Sequence, residues 1–210
     1  MATVTAGTDA QPTTVQVSLI SAGDPGILGL PIFAAGSVCL GLALIGYVPA
    51  AAVGAVLPIV LAGTGVGLVI STIWSLSLGQ TMVAGVYGLF AGFWLSYAML
   101  LLGILHSWFL VPVKDVTHAE ALFLITWAIM MAALTIASLR LPLAFTAVFG
   151  LVVLALILLV PATLSPSTAL THAAGVVVLV FAALGLYLFL GTASAALGGP
   201  AYPLGRPVIK

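Results

Sequence analysis

The sequence predicts an all-α integral membrane protein with six transmembrane helices in a bundle. Hydrophobic residues make up 63% of the 210-residue chain and charged residues only 4%, whereas a soluble domain carries about 25% charged residues. Apolar runs of roughly 18 to 25 residues occur six times, and a bilayer-spanning helix needs about 20. This composition excludes a soluble globular fold.

The apolar runs divide the chain into one transmembrane domain and two tails. The domain covers residues 24–192, between a flexible tail at 1–23 and a C-terminal tail at 193–210. The first tail has no Lys or Arg leading into an apolar stretch, so it does not resemble a secretory signal peptide. The predicted spans are 30–47, 52–74, 81–105, 119–139, 142–160 and 171–192.

The number of spans and the basic residues predict the orientation. Six spans place both termini on one side of the membrane. That side carries Arg140, Arg206 and Lys210, and the opposite side carries Lys114. Because loops rich in Lys and Arg stay in the cytoplasm, we expect both termini to be cytoplasmic and the protein to lie in the cell (plasma) membrane.

The first span begins with a capping pattern. Asp24 followed by Pro25 is typical of a helix N-terminus, where the carboxylate accepts hydrogen bonds from unpaired amides. Gly26, Gly29 and Pro31 interrupt the following residues. We therefore expect a short helix or a bent start over 24–30, ahead of the span itself.

Particular residues in the second, fourth and fifth spans predict a kink or a helix end. Pro58 removes the hydrogen bond to the Gly54 carbonyl, so we expect a kink. Glu120 is expected in the first turn of the fourth span, where an acid favours the helix dipole. The fifth span begins after a break at 140–142, and we expect a loop at 161–169 before the sixth.

The third span has two different faces. Small residues recur every four positions on one side, which allows another helix backbone to approach closely. Aromatic residues lie on nearly the opposite side, where they either fill a core or line a route for a solute. We interpret the helix as packing by its small face and lining a solute route with its aromatic face. The faces are Ala84, Gly88, Gly92 and Ser96, and Tyr87, Phe90, Trp94 and Tyr97.

The chemistry of the chain excludes several classes of function. We expect no ionisable side chain at mid-membrane depth, which argues against a pump or a carboxylate-driven exchanger. The single Cys39 supplies no disulfide or metal cluster, and His106, His118 and His172 fall near span ends, unsuited to haem. We therefore expect no metal, no cofactor and no enzymatic activity. With zero net charge, the chain has no nucleic-acid partner.

Polar groups in the spans are few and are mostly hydroxyls. A hydroxyl in a membrane helix usually bonds back to its own backbone, so each candidate is weighed against that simpler role. The candidates for a polar route are Thr64, Thr81, Tyr87, Ser96, Thr126, Thr135, Thr146, His172 and Tyr187.

Three groups of motifs resemble the acetate uptake transporter family of microbes and fungi. The family opens with NPAPLGL, carries G-N-T followed by F-W on its third helix, and closes with P-x-G. Asp24, Pro25, Leu28, Gly29 and Leu30 form the opening motif here. The matching segments are DPGILGL at 24–30, GQT at 79–81 with FW at 93–94, HAAG at 172–175 with YL at 187–188 and Gly191, and PLG at 203–205.

The resemblance implies a six-helix protomer, a homo-hexamer, and passage of acetate or a similar short monocarboxylate through each protomer, with proton co-transport an option. The family's narrow constriction consists of Phe, Tyr and Leu. Phe33 corresponds to the Phe and Phe90 to the Tyr, while Leu151 is the third member, with Phe149 left open. The predicted pathway residues are Phe33, Phe90, Leu151, Tyr87 and Thr81, and the predicted packing glycines are Gly88, Gly92 and Gly175.

Two departures from the family pattern keep other functions open. Uncharged residues occupy 75–78, where the family has charges, and Asp24 places a carboxylate at a helix start that would otherwise attract an anion. A conduit for a small neutral solute or ammonia is therefore the second hypothesis. The third is a non-transporting membrane subunit whose aromatic face docks a partner helix.

Overall fold

The computed structural model describes residues 23–209, so the predicted N-terminal tail lies outside the described residues except for Gly23. Within these residues, six helices are long and apolar enough to cross a membrane, which confirms the predicted six-helix fold. Their α-helical parts are α1 (Gly26–Leu44), α2 (Val66–Ser77), α3 (Thr81–Leu105), α4 (Val116–Ala137), α5 (Leu143–Leu164) and α6 (Thr168–Ala196). The second span, Ala51–Ser77, reaches its length only together with the segments ahead of α2. Shorter segments are the 3₁₀ helices Ala50–Val56, Val113–Asp115 and Ser138–Arg140 and the π-helix Pro58–Gly65.

The helices pack in two groups joined by α1. One group runs α1–α6–α5–α4, and the other joins α2 to α3, with the π-helix against α1 and α3. Glycines allow α1 and α6 to approach closely. A Cβ atom at Gly175 would lie 2.9 Å from Leu44 Cβ and 3.0 Å from the Ile45 amide nitrogen. Small residues at a helix contact are typical of membrane bundles, where dispersion replaces the hydrophobic driving force.

The start of α1 is one continuous helix rather than the bent start expected over 24–30. The helix begins at Gly26 and contains Pro31. Because Pro31 lies near the N-terminus, its missing N–H removes a single bond close to the end, and the helix continues through it. The N-cap is Pro25, one residue later than predicted, and it has no side-chain cap bond. The Asp24 carboxylate still accepts a hydrogen bond from the Gly26 amide at 2.8 Å.

Pro58 changes the type of helix ahead of α2. The chain is 3₁₀-helical up to Val56, π-helical from Pro58, and α-helical from Val66. The wider π turn accommodates the proline without a break in the span. It also places the Thr64 hydroxyl 3.2 Å from the Ile32 carbonyl of α1, to which it donates a hydrogen bond.

The connection between α5 and α6 is shorter than expected. α5 continues through Pro161 to Leu164, so the loop predicted at 161–169 is reduced to a short turn. Ser167 is the N-cap of α6, and its side chain accepts from the Leu170 amide at 3.4 Å. Both helices are therefore longer than the sequence predicts.

The residues after α6 return to the bundle. The Tyr187 hydroxyl donates to the Pro203 carbonyl at 2.8 Å, and the Ala144 amide donates to the Leu204 carbonyl at 2.9 Å. Tyr187 is thus engaged with the C-terminal segment, and this segment satisfies an amide at the start of α5.

Candidate functional site

Four phenylalanine rings meet in the centre of the bundle, one from each of four helices. Phe33 of α1 contacts Phe90 of α3 edge to face, with ring centroids 4.7 Å apart. Phe181 of α6 stacks on Phe33 at 5.8 Å, and Phe149 of α5 lies 6.0 Å from Phe90. All four side chains are buried. We call these four residues the phenylalanine cluster.

A first cavity of about 190 Å³ lies on the side of the cluster toward the start of α1 and α3. Its wall includes Leu30, Val83 and Tyr87 from those helices, with Phe145 from the start of α5 and Leu188 from α6. The Tyr87 hydroxyl is the main polar group on a wall that is otherwise apolar. This is the end of the bundle on which the C-terminal segment packs.

A second cavity of about 250 Å³ lies on the other side of the cluster. Its wall includes Leu44 and Ile104, near the ends of α1 and α3, Glu120 near the start of α4, and Thr163 near the end of α5. All these positions belong to the end of the bundle opposite the C-terminal segment. The second cavity therefore lies toward the opposite end of the bundle from the first.

Phe33 and Phe90 belong to the walls of both cavities. The two rings, in edge-to-face contact, therefore border both spaces. The cluster is apolar throughout.

The structure brings some predicted pathway residues together and leaves others apart. Phe33, Phe90 and Tyr87 line the first cavity. Thr81 is exposed as the first residue of α3 and contributes to neither cavity wall. Leu151 is half-buried against the core outside both walls, whereas Phe149, the open alternative, lines the first cavity and contacts Phe90.

The opening motif lies against the first cavity. Asp24 is exposed and Pro25 is buried beneath it, while Leu28 is half-buried. A Cβ atom at Gly29 would collide with the Tyr87 ring. Glycine at this position therefore allows the aromatic ring to lie flat against the α1 backbone.

The two faces of α3 contact different partners. A Cβ atom at Gly88 would lie 3.4 Å from Thr72 Cγ2 of α2, and one at Gly92 would lie 3.1 Å from the Trp127 ring of α4. The small face thus packs against neighbouring helices. The aromatic face points inward, since Tyr87, Phe90, Trp94 and Tyr97 each line one or both cavities.

Most of the candidate hydroxyl groups donate hydrogen bonds to backbone carbonyls. Each of the following donates a hydrogen bond to a carbonyl of its own or a neighbouring helical segment, so it is not available to a solute without losing that bond. They are Thr64, Ser96, Thr126, Thr135 and Thr146.

Glu120 occupies a different position from the one expected. α4 begins at Val116, so Glu120 lies beyond the first turn, half-buried in the wall of the second cavity. The expectation that Glu120 stabilises the first turn is therefore wrong. Among the described residues, the walls of both cavities contain no Lys, Arg or His, so the negative charge of Glu120 is not balanced within them.

Sequence reasoning missed Phe181 as well as the location of Glu120. Phe181 lies in a helix that is apolar on every side, where periodicity cannot show which residues face inward. Only its stacking on Phe33 in three dimensions identifies it. The sequence did contain an indication for Glu120, since this acidic residue falls inside the predicted fourth span, 119–139.

The fold and the site together define an integral membrane protein of six helices, with two cavities whose walls share residues of the phenylalanine cluster. The profile of the GPR1/FUN34/yaaH family matches residues 6–197, which is most of the chain. The chain therefore belongs to this family, in agreement with the resemblance to acetate uptake transporters in its motifs.

One solved structure with the same fold is described as the structure of the bacterial acetate channel SatP. It superposes on this chain with a TM-score of 0.77 at 21% sequence identity, and the match covers 88% of this chain and 100% of that one. A comparison with curated protein sequences gives no match.

Proposed function

We propose that this protein is a transporter or channel for acetate or a similar short monocarboxylate. The solute crosses between the first and second cavities at the phenylalanine cluster, within each protomer. The observation that carries the proposal is the contact of Phe33 with Phe90 between two cavities, in a chain of this family. The fold shared with a protein described as an acetate channel supports the choice of solute.

The apolar cluster favours the uncharged acid, or the anion moving together with a proton. Burying an isolated carboxylate in an apolar medium costs on the order of tens of kcal/mol, so the group takes up a proton instead. The absence of a basic residue from the described cavity walls points the same way. Uptake should accordingly increase as the pH falls toward the range in which carboxylic acids protonate.

Uptake of labelled acetate into proteoliposomes tests this function. Wild-type protein should exceed protein-free liposomes, and Phe90→Ala should increase the rate and admit larger carboxylates, because it widens the narrowest point. Phe109→Ala is the matched control, since Phe109 is an exposed phenylalanine outside both cavity walls. Phe90→Leu is a milder variant in case the alanine substitution prevents folding. No protein-dependent uptake at acidic or neutral pH would refute the proposal.

A conduit for a small neutral solute or ammonia is the second candidate. The observation in its favour is that Glu120 is the charged side chain of the described cavity walls, while Asp24 is exposed near the first cavity. Such a conduit would transport its solute at the same rate in the presence of excess acetate. Competition by acetate would exclude it.

We further propose that the protein assembles as a homo-hexamer in the cell membrane with both termini in the cytoplasm. Large apolar side chains of α4 remain exposed, among them Leu122, Ile129 and Ile136. α4 is also the least buried of the six spans, so its outer face is available for contact with lipid or a second protomer. Native mass spectrometry from detergent should give six copies, and a monomer would contradict the assembly.

A further inference from the structure

We propose that at neutral pH the ionised carboxylate of Glu120 sets the charge selectivity of the second cavity: it keeps ionised carboxylates out and leaves the uncharged acid as the species that reaches the phenylalanine cluster. Glu120 is only half-buried, unlike a solute between the buried rings of the cluster, so its side chain can hold this charge. This inference rests on the proposed function, because it concerns which form of the same solute enters the same route.

The first argument is the position of Glu120. It lies in the second turn of α4, half-buried in the wall that also contains Phe33 and Phe90. The remaining wall is almost entirely apolar, with Thr163 and Tyr97 as its other main polar side chains. A charge on an apolar wall is poorly screened and acts over the whole of a small cavity.

The second argument is the lack of a compensating charge. Within residues 23–209, no side chain forms an ion pair or a hydrogen bond with Glu120. The other titratable side chain in the same wall is that of Tyr97 of α3. The neighbouring charged and titratable groups on the same end of the bundle are exposed and lie outside the cavity wall. They are Tyr47, His106, Lys114, Asp115, His118 and His172.

The third argument is the effect on a solute. A carboxylate anion in a cavity of about 250 Å³ comes within several ångströms of the Glu120 charge. At that separation and the effective dielectric of a protein, like charges reduce the occupancy of the anion roughly 10- to 100-fold. The uncharged acid experiences no such repulsion. Glu120 therefore discriminates between two protonation states of one molecule.

An electrical measurement separates the two forms, because only the anion carries current. The current carried by acetate across bilayers that contain wild-type protein should be small. Glu120→Gln, which keeps the shape and removes the charge, should increase it about tenfold or more. Glu120→Asp should retain the low wild-type current. Asp115→Asn is the matched control, since it removes a charge from an exposed carboxylate outside the cavity wall and should leave the current unchanged.

Each result has a defined meaning when labelled uptake is measured on the same preparations. An unchanged current in Glu120→Gln, with protein-dependent uptake intact, would overturn this inference alone. An equal increase in Asp115→Asn would overturn it as well, because the effect would then be one of general surface charge. Absence of protein-dependent uptake in the wild type would overturn the proposed function and this inference with it. Thermal melting in detergent verifies that each variant is folded.

Discussion

Phe90 is the side chain on which the proposed route depends most. Its ring contacts both Phe33 and Phe149 and borders both cavities. The aromatic face of the third span predicts Phe90 from the sequence alone, since its position among Tyr87, Trp94 and Tyr97 follows from helical spacing. The family resemblance implies a Tyr at this position, so this chain has a ring there without the hydroxyl.

The identity of the third ring at the narrowest point leads to the first prediction. Phe149→Ala removes a ring that contacts Phe90 and lines the first cavity, so it should increase uptake of acetate and of longer carboxylates. Leu151→Ala removes a half-buried side chain outside both walls and should leave uptake near the wild-type rate. Uptake into proteoliposomes measures both. The opposite order would assign the third position to Leu151.

Gly29 provides a second prediction at the residue scale. Gly29→Ala places a methyl group into the Tyr87 ring and should destabilise the protein by about 1–3 kcal/mol, as overpacking does. Gly85→Ala is the matched control, because a Cβ atom there meets nothing within 4 Å and alanine favours helix by about 0.5–1 kcal/mol. Melting temperatures in detergent compare the two variants. Equal melting temperatures would show that α1 and Tyr87 are not in close contact.

At the scale of the elements, the π-helix ahead of α2 performs a structural task. The π-helix begins at Pro58, and within it the Thr64 hydroxyl donates a hydrogen bond to a carbonyl of α1. The sequence indicates a perturbed helix at Pro58, because a proline in a helix interior always lacks one bond. It does not indicate a π turn, since the choice between a kink and a wider turn depends on what α1 offers as a partner.

Thr64→Val tests this contact. The substitution keeps the shape of a fully buried side chain and removes its hydrogen bond to the Ile32 carbonyl. It should therefore lower stability by about 0.5–1 kcal/mol, the usual value for such bonds in membrane proteins. Thr126→Val is the control, because Thr126 is exposed and bonds within its own helix. A loss of stability in the control equal to that in Thr64→Val would contradict the proposed role of the π-helix.

The errors in helix ends have a common physical cause. The predicted start of α1 is too late, because Gly26 and Pro31 were expected to interrupt the helix. The predicted end of α5 is too early, because Pro161 was expected to begin a loop. Both prolines lie within a few residues of a helix end, and each removes one backbone hydrogen bond while the helix continues through it. The placement of Glu120 is wrong for a related reason, since α4 begins three residues earlier than the predicted span.

At the scale of the whole molecule, the sequence predicts the number of spans but not the two cavities. Hydropathy and length suffice for six helices. The helices are apolar on nearly all sides, so periodicity gives little information on which residues face the centre. Phe181 and the wall of the second cavity therefore depend on how the helices pack, and the packing is set by glycines such as Gly41 and Gly175 between α1 and α6.

The most direct test of the account measures access to each cavity from each side of the membrane with a water-soluble thiol reagent. In a Cys39→Ala background, Met82→Cys places a thiol in the first cavity and Thr163→Cys one in the second. The control Ile129→Cys lies on the outer face of α4 and should not react. We expect the two cavity variants to react from opposite sides only, and modification of either to reduce acetate uptake. Reaction of both from the same side, or uptake unaffected by modification, would contradict a route through the phenylalanine cluster.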